Sequence, residues 1–175
     1  PLCGDTTAHR DILGPDQEAW LHEQLRTSTA KWKILGNQLI VSQLRVTPNA
    51  VAVPPTYLNT DAWDGYPTSQ ERLYEVLQGN NPDGSDNPDA SAVDNVVVIT
   101  GDIHTSWAFD VTPNPHALPA PTPIAVDFVV PSGNSPVVPI PGDAPSVLRA
   151  SHRALPWVNL AQLGRILVVS ATARA

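Results

Sequence analysis

The chain has 175 residues, with 10 basic and 17 acidic side chains and a formal net charge of −7. Charged residues are 15% of the total, well below the usual share of about 25%, and a field of this sign repels phosphate backbones, which argues against a general nucleic-acid binder. Cys3 is the only cysteine, so an internal disulfide and a cysteine-only zinc site are both excluded, and no apolar run reaches the ~20 residues needed to cross a bilayer.

PLCGDTTAHR at the start reads as irregular. Gly14-Pro15-Asp16 then predicts a helix start, because proline suits the first helical position and Asp16 and Glu18 suit the positive end of the dipole. Trp20, Leu21 and Leu25 form one apolar face, His22 falls on the polar side, and the helix is expected to end near Thr27. KWKILGNQLIVSQL follows, rich in Ile, Leu and Val, and predicts a buried strand. Residues 47–67, with Pro48, Pro54, Pro55 and Pro67 around WDGY, read as a long loop. Thr68 and Glu71 stand at capping-box spacing before a second helix with a Leu73, Val76, Leu77 stripe and Gly79 placed to end it.

NNPDGSDNPDAS reads as an exposed, turn-rich loop, and NVVVITGD is the clearest strand in the chain. Between Pro113 and Pro156 there are 11 prolines, which weakens any all-helical reading. PIAVDFVV within that stretch and GRILVVSA after it predict short strands, and SVLRASHRAL predicts a helix. The order of elements fits an α/β layer leading into β structure, in one domain over residues 1–175.

The chemistry concentrates where the NVVVIT strand runs into Gly101-Asp102-Ile103-His104. The carboxyl ends of strands in an open α/β sheet line the crevice where ligands bind. If the backbone stays extended past Gly101, Asp102 and His104 share one face. A carboxylate beside an imidazole suits iron, zinc or manganese, or calcium through the carboxylate. The plainer alternative is a strand ending in a turn, with Asp102 accepting backbone N–H bonds and His104 packed as a satisfied polar residue. His152, between Arg149 and Arg153, is either a catalytic or phosphate-facing group or a surface residue near a helix end. H-E-x-x-H, P-loop, G-x-S-x-G and G-x-G-x-x-G patterns are absent from the sequence.

Several segments taken together resemble PhoD-type alkaline phosphatases. They are Arg10 through Leu21, Ser28, Trp32 through Gln38, Trp63-Asp64-Gly65-Tyr66-Pro67, Gly101 through Ser106, and His152 through Trp157 to Gly164, all in the family's order. The resemblance implies a calcineurin-like metallophosphoesterase core, a two-layer β sandwich flanked by helices, with iron and calcium ions. It implies hydrolysis of phosphate mono- or diesters in an extracellular or periplasmic setting, which agrees with the low charge and the high Pro and Trp content. Asp102 and His104 match the family's metal-ligating G-D-x-H segment, and His152 would lie near the leaving group or phosphate. Asp127 stands where the family usually has Glu, Thr7 stands for Arg, and Ala150-Ser151 precede His152 in place of Asn-Pro.

The family's first metal-binding motifs would lie upstream of Pro1, so the chain is expected to be a C-terminal portion. The alternatives are an inactive fragment, a metal- or phosphate-binding module, or a β-rich domain without a site. A missing N-terminal half would leave strands without partners beside KILGNQLIV and NVVVITG.

Overall fold

A computed structural model describes residues 10–44, 59–102, 107–115, 119 and 121–130, and the backbone course of 166–170. Helix α1 spans Pro15–Thr27, with Pro15 in the first turn, Asp16 and Glu18 near the N-terminus and Arg26 in the last turn. Glu18, Leu21, His22 and Leu25 follow an i, i+3, i+4, i+7 row, and Leu21 and Leu25 are buried on it. That row excludes Trp20, which is 43% exposed, and includes His22, which is only 6% exposed. Both positions reverse the expectation from sequence. The stripe is turned toward α2 by Arg72, whose Nε and Nη2 donate to the Glu18 carboxylate at 2.5 and 2.8 Å.

Burial pushes the His22 imidazole below its usual 6.5, with Glu18 opposing and Arg26 and Arg72 reinforcing the shift. Below pH 6.5 the unfolded chain takes up a proton that the folded chain resists, so stability falls as pH drops toward the depressed folded value. Full-length protein should therefore lose Tm below pH 6.5, and His22→Leu should remove that part of the slope. Equal slopes in both proteins would mean that the imidazole is solvated.

Helix α2 spans Pro67–Gln78 and buries Leu73, Val76 and Leu77. Its N-cap is Tyr66 without a side-chain cap bond, so Thr68 lies inside the helix and the Thr68–Glu71 capping box does not form. Pro67 at the first turn supplies the start signal instead, because its fixed φ suits that position. Gly79 ends the helix in the left-handed region at φ 89, as its placement predicts, and a Cβ there would meet the backbone of Ser91 and Ala92 at 2.8 Å.

The strands are β1 Trp32–Gly36, β2 Val96–Thr100, β3 Trp107–Val111, β4 Ala125–Val129 and β5 Ile166–Ser170. They form one sheet in the order β3-β4-β2-β1-β5. β1, β2, β4 and β5 run parallel to one another, and β3 pairs antiparallel with β4. The mixed α/β class is therefore as expected, and among the described residues it comprises a single mixed sheet with the two helices. β1 and β2 each have a partner on both sides, which corrects the expectation of bare edges beside them.

β1 is also shorter than the apolar run suggests. The ladder stops at Gly36, and residues 37–44 leave it although Ile40, Val41 and Leu44 are buried. Leu35, Val96, Val98, Val111 and Ala125 meet Leu21, Leu25, Leu73 and Leu77 from the helices in one core. Among the described residues no helix is long and apolar enough to cross a membrane. The helix expected over residues 146–155 lies outside the described residues.

Candidate active-site crevice

β1, β2 and β4 are neighbouring parallel strands, so their carboxyl ends at Gly36, Thr100 and Val129 lie side by side. A crevice at that edge is where ligands bind in open α/β sheets. The chain leaves β2 through Gly101 into Asp102, which adopts φ 72. This left-handed conformation is uncommon outside glycine, and Asp is among the residues that tolerate it. The extended path that would align Asp102 with His104 is therefore absent at Asp102 itself. His104 and His152 both lie outside the described residues.

Asp102 is exposed and borders a cavity of about 20 Å³, together with Asp64, Asn59 and the apolar Leu39, Ile40 and Leu44. That volume admits roughly one water molecule or one ion of similar size. Asp64 comes from the 3₁₀ turn Trp63–Gly65, which the sequence placed in a loop. Its Oδ2 accepts the Leu44 N–H at 2.8 Å, tying the turn to the segment after β1.

Beneath the crevice lies a second buried carboxylate. Asp127 on β4 is 0% exposed; its Oδ2 accepts the N–H groups of Val41 at 3.0 Å and Ser42 at 3.2 Å, and its Oδ1 accepts the Thr100 hydroxyl at 3.1 Å. Burial pushes its carboxyl above the usual range, and the N–H groups of Ser42 and Val41 and the hydroxyls of Thr100 and Ser42 pull it back. The Val41 carbonyl in turn accepts Gln70 Nε2 at 2.7 Å and the Tyr74 hydroxyl at 3.0 Å. Full burial, then the charges of Asp64 and Asp127, hold the Tyr74 phenol well above its normal value, so Tyr74 stays a donor.

Residues 37–44 leave β1 and have their main-chain groups captured by Asp127, Asp64, Gln70 and Tyr74. Buried backbone donors need such partners once a ladder is abandoned. Of these anchors, sequence reasoning noted Asp127 only as a departure from the family and Asp64 only within WDGY. A carboxylate alternating with apolar residues in AVDFV, aimed at the buried face, was the signal available.

Asp102, Asp64 and Asn59 offer hard oxygen donors, whose chemistry fits a metal cation. Among the described residues no group of three or more His, Cys, Asp or Glu surrounds one point, so further ligands are needed for a full set.

The fold and the crevice define an open, mixed α/β sheet whose strand ends border an apolar-walled cavity that Asp64 and Asp102 also line. A family model, PhoD-like phosphatase, matches residues 3–175, and the chain belongs to that family. It is 37% identical over 100 residues to alkaline phosphatase D of Bacillus subtilis strain 168, an alignment covering 57% of this chain and 15% of the relative. A solved structure described as the structure of PhoD matches with a TM-score of 0.57 and 32% identity, covering 70% of this chain and 20% of that one. The matched regions thus span a fifth or less of these relatives.

Proposed function

We propose that residues 1–175 are the C-terminal portion of a metal-dependent hydrolase of phosphate mono- or diesters, with Asp102 and His104 as metal ligands. The observation that supports this most is Asp102, a left-handed non-glycine residue just past the end of a central parallel strand, which lines an ion-sized cavity. Backbone conformations of this kind cluster at functional sites. In this reading, iron and calcium are the cations and His152 is the catalytic candidate near the leaving group or phosphate, both as the family resemblance implies. Extracellular or periplasmic action fits the composition. Metal bound there supplies Lewis-acid polarisation of a phosphoryl oxygen and inverts a local field that the net charge of −7 makes hostile to phosphate. Asp102 holds its carboxylate at the crevice rim, while Asp64 keeps Leu44 in the apolar wall that limits water there.

The shortage of ligands among the described residues favours one second reading, a metal- or phosphate-binding module without turnover. Assays with nitrophenyl phosphate mono- and diesters separate the two. Full-length protein should show turnover that a chelator abolishes, and the isolated 175 residues should show negligible turnover even with iron and calcium. Robust turnover by the isolated chain would show a complete ligand set within it. An inactive, metal-loaded full-length protein would leave the binding module as the better reading.

A further inference from the structure

We infer that Thr100 and Asp127 are positioning residues for Asp102, an inference that rests on the metal-ligand reading of Asp102. Thr100 is the last residue of β2, two positions before Asp102, and is 4% exposed. It is anchored twice to β4 and the residue after it: its carbonyl accepts the Val130 N–H at 2.9 Å, and its hydroxyl donates to Asp127 Oδ1 at 3.1 Å. Gly101 follows and Asp102 turns left-handed, so the direction in which β2 delivers the Asp102 carboxylate is set by the last anchored residue, Thr100.

The same Asp127 carboxylate grips Val41 and Ser42 through its other oxygen. Those residues sit in the chain between Ile40 and Leu44, which line the same cavity as Asp102. One fully buried carboxylate thereby couples the two walls of the crevice, the end of β2 and the segment after β1. Asp127 does not border the cavity, so it acts on the site through these bonds. A packing role alone would be served by an apolar residue at lower desolvation cost, since a buried carboxylate is costly unless its bonds are needed.

The test uses full-length protein with Thr100→Val, Thr100→Ser and Asp127→Asn. Manganese binding is read from loss of the free-ion paramagnetic resonance signal, nitrophenyl phosphate turnover gives kcat and KM, and amide exchange reports on segment 39–44. Thr100→Val keeps the side-chain shape and removes the hydroxyl. It should weaken manganese binding and lower kcat by roughly 10–100-fold, the range seen when a partner behind a metal ligand is lost. Ester KM should stay unchanged, and Thr100→Ser should restore both values to within about threefold. Asp127→Asn should also weaken manganese binding while exchange at Val41 and Ser42 stays near wild type, because the carboxamide oxygen still accepts both N–H groups and its NH2 then faces the Thr100 hydroxyl as a donor.

If Asp127→Asn does not fold, the Thr100 pair decides the question alone. Thr100→Val with a lower Tm but unchanged manganese binding and kcat would overturn the inference and leave a structural role. Wild-type protein that neither binds manganese nor turns over ester would overturn the metal-ligand reading instead, and the inference with it.

Discussion

Asp102→Asn in full-length protein should lower phosphate ester turnover on the order of 10³-fold, equivalent to about 4 kcal/mol, while Tm changes little. The size of the effect follows from the several kcal/mol that a correctly held cation contributes to the developing charge. Asn is the informative substitution because it tolerates the left-handed backbone at φ 72. Ala there would add roughly 1–2 kcal/mol of backbone strain and confuse the two effects. Asp102→Gly is the complementary control, since it relaxes the backbone and removes the carboxylate. Elemental analysis should show metal content falling in both variants. Full occupancy with unchanged turnover would return Asp102 to the simpler role of a turn residue.

The largest stability loss is expected at the turn that carries Asp64. Trp63 is 2% exposed and belongs to the same core as Leu21, Val41, Leu73 and Tyr74. Trp63→Ala should cost about 3–5 kcal/mol, from lost transfer energy and the cavity that remains. Gly65, two residues on, has no room for any side chain, because a Cβ would collide with the Thr60 carbonyl. The obstacle is backbone, so no rotamer change relieves it, and Gly65→Ala should displace the turn by more than the 1–3 kcal/mol typical of overpacking. Either change moves Asp64 and frees the Leu44 N–H that it holds. Denaturant unfolding of the full-length variants measures both losses, and a Gly65→Ala protein as stable as wild type would show that residues 60–65 follow another path.

These expectations draw on features that were unequally visible in the amino-acid order. β3 was missed because Trp107-Ala108-Phe109-Asp110-Val111 is short and carries a charge, although Trp107, Phe109 and Val111 do alternate toward one face. The segment after β1 was misread for the opposite reason. Its apolar content is genuine and is buried, but burial does not require a ladder when side chains elsewhere accept the backbone donors.

By itself the sequence determined the local elements: α1 and α2 from Pro15, Pro67, the acidic first turn of α1 and Gly79, and β2, β4 and β5 from β-branched runs that only a buried parallel sheet accommodates. It also located Gly101-Asp102 at a strand end, because a turn after such a run is a local signal. Only the tertiary structure decided that Asp102 turns left-handed, that His22 is buried while Trp20 is exposed, and that β1 stops at Gly36. Each of these depends on partners distant in the chain, as with Asp127, which meets Val41 across 86 positions and Thr100 across 27. Periodicity and propensity act over a few residues, whereas the bonds that shape this crevice form only after the sheet has brought β1, β2 and β4 together.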